Sequence, residues 1–167
     1  MRTKMFGLFL GLATLAATTA QAQLRPLEAR NFGRWDYKAF TSDGRDVAAC
    51  SIGTYWNSGR QLRITALAAP RALVLSVEDP TWSMRYGSSG MGALVIDGER
   101  FTAEFSASSG TMALVQISNP EAGARFLRAF SDGYIMTMQL PWGQSVQAGL
   151  GGTTEAITAL NGCVGRI

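Results

Sequence analysis

The chain has 167 residues, 47% hydrophobic and 16% charged, with 15 basic and 12 acidic residues, a formal charge of +3 and no histidine. That length suits one domain of ordinary size with a real core. The missing histidine removes Ser-His-Asp and Cys-His nucleophile systems and the commonest zinc and iron sites, and the scattered arginines offer no cluster for neutralising the phosphates of a nucleic acid.

The first element is MRTKMFGLFLGLATLAATTAQAQ. Arg2 and Lys4 precede an uncharged apolar run from Met5 to Ala17, and Ala20, Gln21 and Ala22 form a small-residue triplet; this is the pattern of a secretory signal peptide cleaved before Gln23. A membrane anchor needs about 20 predominantly apolar residues, more than this run supplies. The chain therefore divides into a signal peptide, 1–22, and one β-rich domain, 23–167. That domain is expected to be exported from the cytoplasm, with no transmembrane segment after cleavage. Loss of Arg2 and Lys4 lowers the charge by two and leaves the domain close to neutral. In an oxidising compartment two cysteines of a small domain are expected to pair. Cys50 and Cys163 allow one intramolecular bridge, which closes a loop of about 114 residues and contributes on the order of 4 to 5 kcal/mol by restricting the unfolded chain. A pair of buried free thiols is the alternative, and so is a metal site, which two cysteines without histidine serve poorly.

Beyond the leader, period-two alternation dominates. RWDYKAF and DVAACSI read as strands, with Cys50 in or at the end of the second. In QLRITALA, Leu62, Ile64 and Ala66 share a face, and in RALVLSVED so do Leu73, Leu75 and Val77. GALVIDGERFTAEF places Asp97-Gly98 between two alternating runs, a strong hairpin signal because a type I′ turn needs positive φ at both central residues. TMALVQIS, GYIMTMQL and QSVQAGL add further strands. Two segments have helical spacing instead. In NPEAGARFLRAF, Asn119 can cap, Pro120 suits the first turn and Phe126, Ala129 and Phe130 recur on one face, leaving Arg125 and Arg128 to water. In TTEAITALNGC, Thr153 is the expected N-cap, Ala156, Ile157 and Leu160 form the stripe, Gly162 is the expected left-handed terminator, and the next buried position is Cys163 or Val164, which aims the thiol at the core face. The pattern predicts a mainly β single-domain sandwich or barrel of about eight strands, with one inserted short helix and a C-terminal helix.

The stretch EAGARFLRAFSDGYIMTMQLPWGQSVQAGLGGTTEAITALNGC, Glu121 to Cys163, resembles the closing module of invasion-associated locus B proteins, small exported proteins of α-proteobacteria. The matching elements are FLRAFSDG, the strand YIMTMQL, and Leu150-Gly151-Gly152 leading to Ala156 and Leu160. The resemblance implies an envelope or secreted protein with a role at a host or partner surface, and it carries over no catalytic residue.

No catalytic, cofactor-binding or metal-binding residue emerges from the remaining chemistry. Lys38 is the sole lysine after the leader and sits in a strand without a serine motif; Glu78 and Asp79 are neighbours that point to opposite faces. GSSGMG, Gly87 to Gly92, lacks the Gly-Lys-Ser/Thr of a P-loop and reads as a flexible connection, and DGRD, Asp43 to Asp46, reads as a turn. Of the tryptophans, Trp35 is expected in the core, and Trp56, Trp82 and Trp142 are expected to fill it or cap its ends. The candidate interaction surface is Trp82, Arg85 and Tyr86 in TWSMRYGSSGMG, three residue types enriched at binding hot spots. The same stretch also reads as a strand with Trp82 and Met84 turned inward. The expected function is a non-catalytic exported protein that binds an envelope or host component, without cofactor; the alternative is an inhibitor or immunity protein that fits a rigid loop into the cleft of an exported enzyme.

Overall fold

A computed structural model describes residues 24–167. The signal peptide read at 1–22 lies outside the described residues. Ten strands and two helices follow in the order β1 (Arg25–Phe32), β2 (Trp35–Thr41), β3 (Ala49–Tyr55), β4 (Gln61–Leu67), β5 (Ala72–Glu78), β6 (Ser89–Ile96), β7 (Glu99–Ala107), β8 (Met112–Ile117), α1 (Pro120–Asp132), β9 (Ile135–Gln139), β10 (Ser145–Gly149) and α2 (Thr153–Val164). The fold is mainly β, and the strands form one antiparallel sheet in the order β1-β2-β3-β4-β5-β8-β7-β6-β9-β10. After the β1–β5 meander the chain skips two places to β6, returns through β7 and β8 to β5, and uses α1 to reach β9 beside β6.

Alternation explains which face is wet. Along β2, β4 and β5 every second residue is buried, and Trp35, Tyr37, Ile52, Leu62, Ile64, Leu75, Phe105, Met136 and Met138 form one core with Phe126 and Phe130 of α1 and Ala156, Ile157 and Leu160 of α2. Strand β3 is buried on both faces because Arg63 of β4 lies across its outer side and donates to Ser51 Oγ at 3.0 Å. The sheet curls around the helices until its two ends approach: the Trp35 indole N–H donates to the Gly151 carbonyl at 3.2 Å, and its ring meets Phe130 edge-on at 5.4 Å.

The Asp97-Gly98 turn has the expected positive φ values, 45° and 94°. GSSGMG differs from its expectation of a flexible connection, since Ser89 to Gly92 belong to β6 and pair with β7 through their whole length. The reason is packing: a Cβ on Gly92 would run into the Gln139 carbonyl oxygen of β9 and stand 2.7 Å from the Phe105 ring, so the glycine makes room for a neighbouring backbone and a core aromatic. Asn119 caps α1 as expected, accepting from Glu121 N–H at 2.9 Å and Ala122 N–H at 3.1 Å.

The ends of α2 depart from the pattern. Its N-cap is Gly152, and Thr153 begins the helix with its hydroxyl donating to Leu150 O at 2.8 Å and Phe130 O at 3.1 Å. Gly162 lies inside the helix, which runs on to Val164 and ends at Gly165 in right-handed geometry, with Arg166 N–H donating to Cys163 O. The extra turn keeps Cys163 helical and buried against β3. There it is bonded to Cys50, with the two Cα atoms 6.1 Å apart.

Candidate functional site

The last turn of α1 leaves carbonyls without intrahelical partners. Hydroxyls from the first turn of α2 meet them, Thr153 at Phe130 O and Thr154 at Ser131 O (3.2 Å). These contacts fix the two helices to one another at one end. Beyond them lies a cleft of about 640 Å³ between α1, α2, the β4–β5 turn and the exit of β8. Its walls are apolar, with Leu73, Ile117, Leu127, Ile157, Val164 and Ile167, and its mouth carries Arg71, Arg128, Asp132 and Asn161. Arg71 Nη2 donates to the Ile167 carbonyl at 3.2 Å across that mouth. A cleft of this size with apolar walls and a few polar groups at its rim has the character of a ligand or partner site. Sequence reasoning missed it because its walls come from four separate segments. A signal was present, since Leu127 and Val164 are apolar residues beside, and outside, the buried stripes of their helices.

The Trp82, Arg85 and Tyr86 constellation falls elsewhere, on the β5–β6 loop. Trp82 is half-buried against the core and Met84 is buried, whereas Arg85 and Tyr86 are exposed, Tyr86 by 78%. The loop is held by Met84 N–H to Gly110 O and Gly87 N–H to Ala107 O, both 2.8 Å. Arg85 and Tyr86 therefore project from a hydrogen-bonded segment, with Trp82 packed against the core beneath it.

Asp79 starts that loop. Its buried carboxylate accepts from Arg60 Nε (2.8 Å), Thr81 N–H (3.0 Å) and Thr81 Oγ1 (2.7 Å). Burial pushes its pKa up, but the hydrogen bonds from Thr81 and Arg60 together with the Arg60 charge outweigh it and hold the group below the ordinary aspartate value. A depressed folded-state pKa stabilises the fold above the unfolded value of about 3.9, and that contribution is lost as pH falls through the lower folded value. Thermal melts at decreasing pH should therefore show an acid-side loss of Tm in the parent that is shallower in Asp79→Asn; equal slopes would remove Asp79 from the account.

Other polar groups serve structure. Lys38 rests 3.2 Å from Asp36. Its cross-strand neighbour Ser51 is buried beneath Arg63 and has no open approach. Asp43 accepts from Arg45 N–H and Asp46 N–H and closes the turn read in DGRD. Glu28 is held below the usual carboxylate range chiefly by the hydrogen bond from Arg166, which ties the residues after α2 to β1. Among the described residues no three His, Cys, Asp or Glu side chains converge as metal ligands, and no helix is long and apolar enough to cross a membrane.

No protein-family model and no curated protein matches the chain. Among solved structures the chain is similar to the crystal structure of invasion associated protein b from Bartonella henselae, with a TM-score of 0.56 and 12% identity over 83% of this chain and 97% of that one. At that identity the likeness is one of fold. It reaches well beyond the Glu121 to Cys163 stretch that carried the sequence resemblance.

Proposed function

We propose that the chain is a non-catalytic exported protein, periplasmic or secreted, that binds an envelope or host component through the cleft between α1 and α2. The observation that supports this reading is the cleft itself, with apolar walls built from four segments and arginines at its mouth. Burial of an apolar partner group there removes exposed hydrocarbon from water at about 25 cal/mol per Å². The fold likeness to an invasion-associated protein and the buried Cys50–Cys163 bond agree with a place outside the cytoplasm.

The second reading, an inhibitor or immunity protein, is favoured by one feature, the hydrogen-bonded loop that presents Arg85 and Tyr86. One experiment separates the two. The tagged domain is incubated with its own cell envelope, cross-linked and recovered beside two variants. Val164 is 38% exposed on the cleft wall, so Val164→Arg should leave Tm unchanged and abolish capture of the parent's partner. Loss of capture in Arg85→Ala/Tyr86→Ala, with Val164→Arg binding as the parent does, would transfer the contact to the loop. Capture that survives both changes, or no capture by the parent, would defeat the cleft reading.

A further inference from the structure

From β10, at the far end of the sheet and apart from the cleft, we infer that the outer edge of this strand is a strand-addition site for an extended peptide segment of a partner protein, with a carboxylate at the end that reaches Gly149. The hydrogen-bond register carries the argument. Leu140 N–H donates to Gln144 O at 2.9 Å and Leu150 N–H to Tyr134 O at 2.8 Å. Bonded pairs alternate along an antiparallel ladder, so Val146 with Met138 and Ala148 with Met136 are the mutually bonded pairs between those two points. The N–H and C=O groups of Ser145, Gln147 and Gly149 then point away from β9, and no turn, loop or side-chain hydrogen bond among the described residues uses them.

The two edges of the sheet are treated differently. β1 carries Pro26, a register break between Pro26 and Glu28, and the charges of Arg25, Glu28 and Arg30, all of which discourage pairing with another chain. β10 reads SVQAG, with no charge, no proline and an unbroken register. Edges of that kind are templates for a further strand.

The surroundings select the occupant. At Gly151 the edge is closed by Trp35, and a Cβ on Gly152 would lie 3.8 Å from both the Phe32 carbonyl oxygen and the Trp35 ring. In a symmetric pair of β10 strands centred on Gln147, the partner's Trp142 would fall opposite Gly152, where the β1–β2 turn already sits. A strand that ends at Gly149 avoids this collision. Gly149 has no side chain, and its cross-strand neighbour Ile135 is 46% exposed, which leaves a notch for one apolar side chain of the peptide. The Arg34 guanidinium lies 3.7 Å from where a Cβ on Gly149 would stand. Among the described residues it forms no salt bridge, so it complements a carboxylate at that end.

The test is an amide-resolved NMR titration of the ¹⁵N-labelled domain with an acetylated, C-terminally amidated hexapeptide of alternating valine and threonine that begins with glutamate, which antiparallel pairing places at Gly149, beside the same peptide with glutamine in place of glutamate. Before peptide is added, the amides of Ser145, Gln147 and Gly149 should exchange rapidly and those of Val146 and Ala148 slowly; protection of the first set would mean that the edge is already covered and would overturn the proposal. With peptide at millimolar concentration, shifts and new protection should centre on Ser145, Gln147 and Gly149. Gln147→Pro removes one outward N–H that the inner ladder does not use, so binding should weaken roughly ten-fold at an unchanged Tm. Arg34→Gln should erase the preference for the acidic peptide. Shifts confined to the helix cleft, no shifts at all, line broadening from self-association without peptide, or undiminished binding by Gln147→Pro would each overturn the assignment.

Discussion

Replacing Cys50 and Cys163 together by alanine is expected to lower stability by about 4 to 5 kcal/mol and Tm by roughly 10 to 15 °C, with the far-UV signature of the sheet intact. The bond joins positions 113 residues apart and so restricts most of the unfolded chain. In the folded state it fastens α2 to β3, two elements that also meet through Leu160, Ile157 and Ile52 in one core. Those apolar contacts remain when the sulfurs are removed, which is why the sheet should persist. A second signature follows from the same mechanism: an unfolded chain without the tie exposes more surface, so the denaturant m-value should rise in the variant. Intact mass after alkylation without reduction tests the bond itself, since no thiol should react in the parent. Two alkylated thiols, or an unchanged Tm in the double variant, would refute the expected contribution; collapse of the sheet signal would mean that the bond holds the native topology as well as restricting the unfolded chain.

Much of the fold was legible because a half-buried strand declares itself by alternation. β2, β4, β5, β7, β8, β9 and β10 all bury one face and were read from it. β1 was not, and the cause is physical: RPLEARNF lies at a sheet edge, has no core face to encode, and becomes a strand through pairing with β2 across a turn at Gly33, whose φ is 61°. The glycines of β6 misled in the opposite direction. Their composition reads as a flexible connection, yet Gly92 is required by the Gln139 carbonyl and the Phe105 ring on its two neighbouring strands, and no local pattern records a tertiary demand of that kind. The helix ends follow the same division. Asn119 caps α1 through its own side chain and was legible, whereas Thr153 shares its hydroxyl between Leu150 O and carbonyls of α1 more than twenty residues away, and so does not cap its own helix. The cleft was illegible as a site because its walls belong to four separate segments. The β10 edge was illegible because backbone groups carry no letter in the sequence.

Trp35→Ala is the second change expected to be severe, at about 3 to 5 kcal/mol for the loss of a fully buried indole, since Trp35 is 0% exposed and joins parts of the sheet that are otherwise unpaired. Two contacts contribute in separable ways. The ring packs edge-on against Phe130 of α1, a geometry worth about 0.5 to 1.5 kcal/mol beyond area burial. The indole N–H meets Gly151 O just before α2, and Gly151 is exposed, so water can replace the lost donor and the bond should contribute only about 1 kcal/mol. Trp35→Phe keeps much of the ring and removes the donor, so it should cost about 1 to 2 kcal/mol in denaturant unfolding, well short of the alanine variant. The two variants should also differ in space. With phenylalanine the core amides stay protected and exchange quickens near Gly151 and Gly152, whereas with alanine the loosening extends into α1 through Phe130. Equal losses in the two variants would assign the whole effect to the hydrogen bond. A loss under about 1 kcal/mol for Trp35→Ala, far below the cost of truncating a buried aromatic, would mean that the ends of the sheet are held together by the helices and not by this ring.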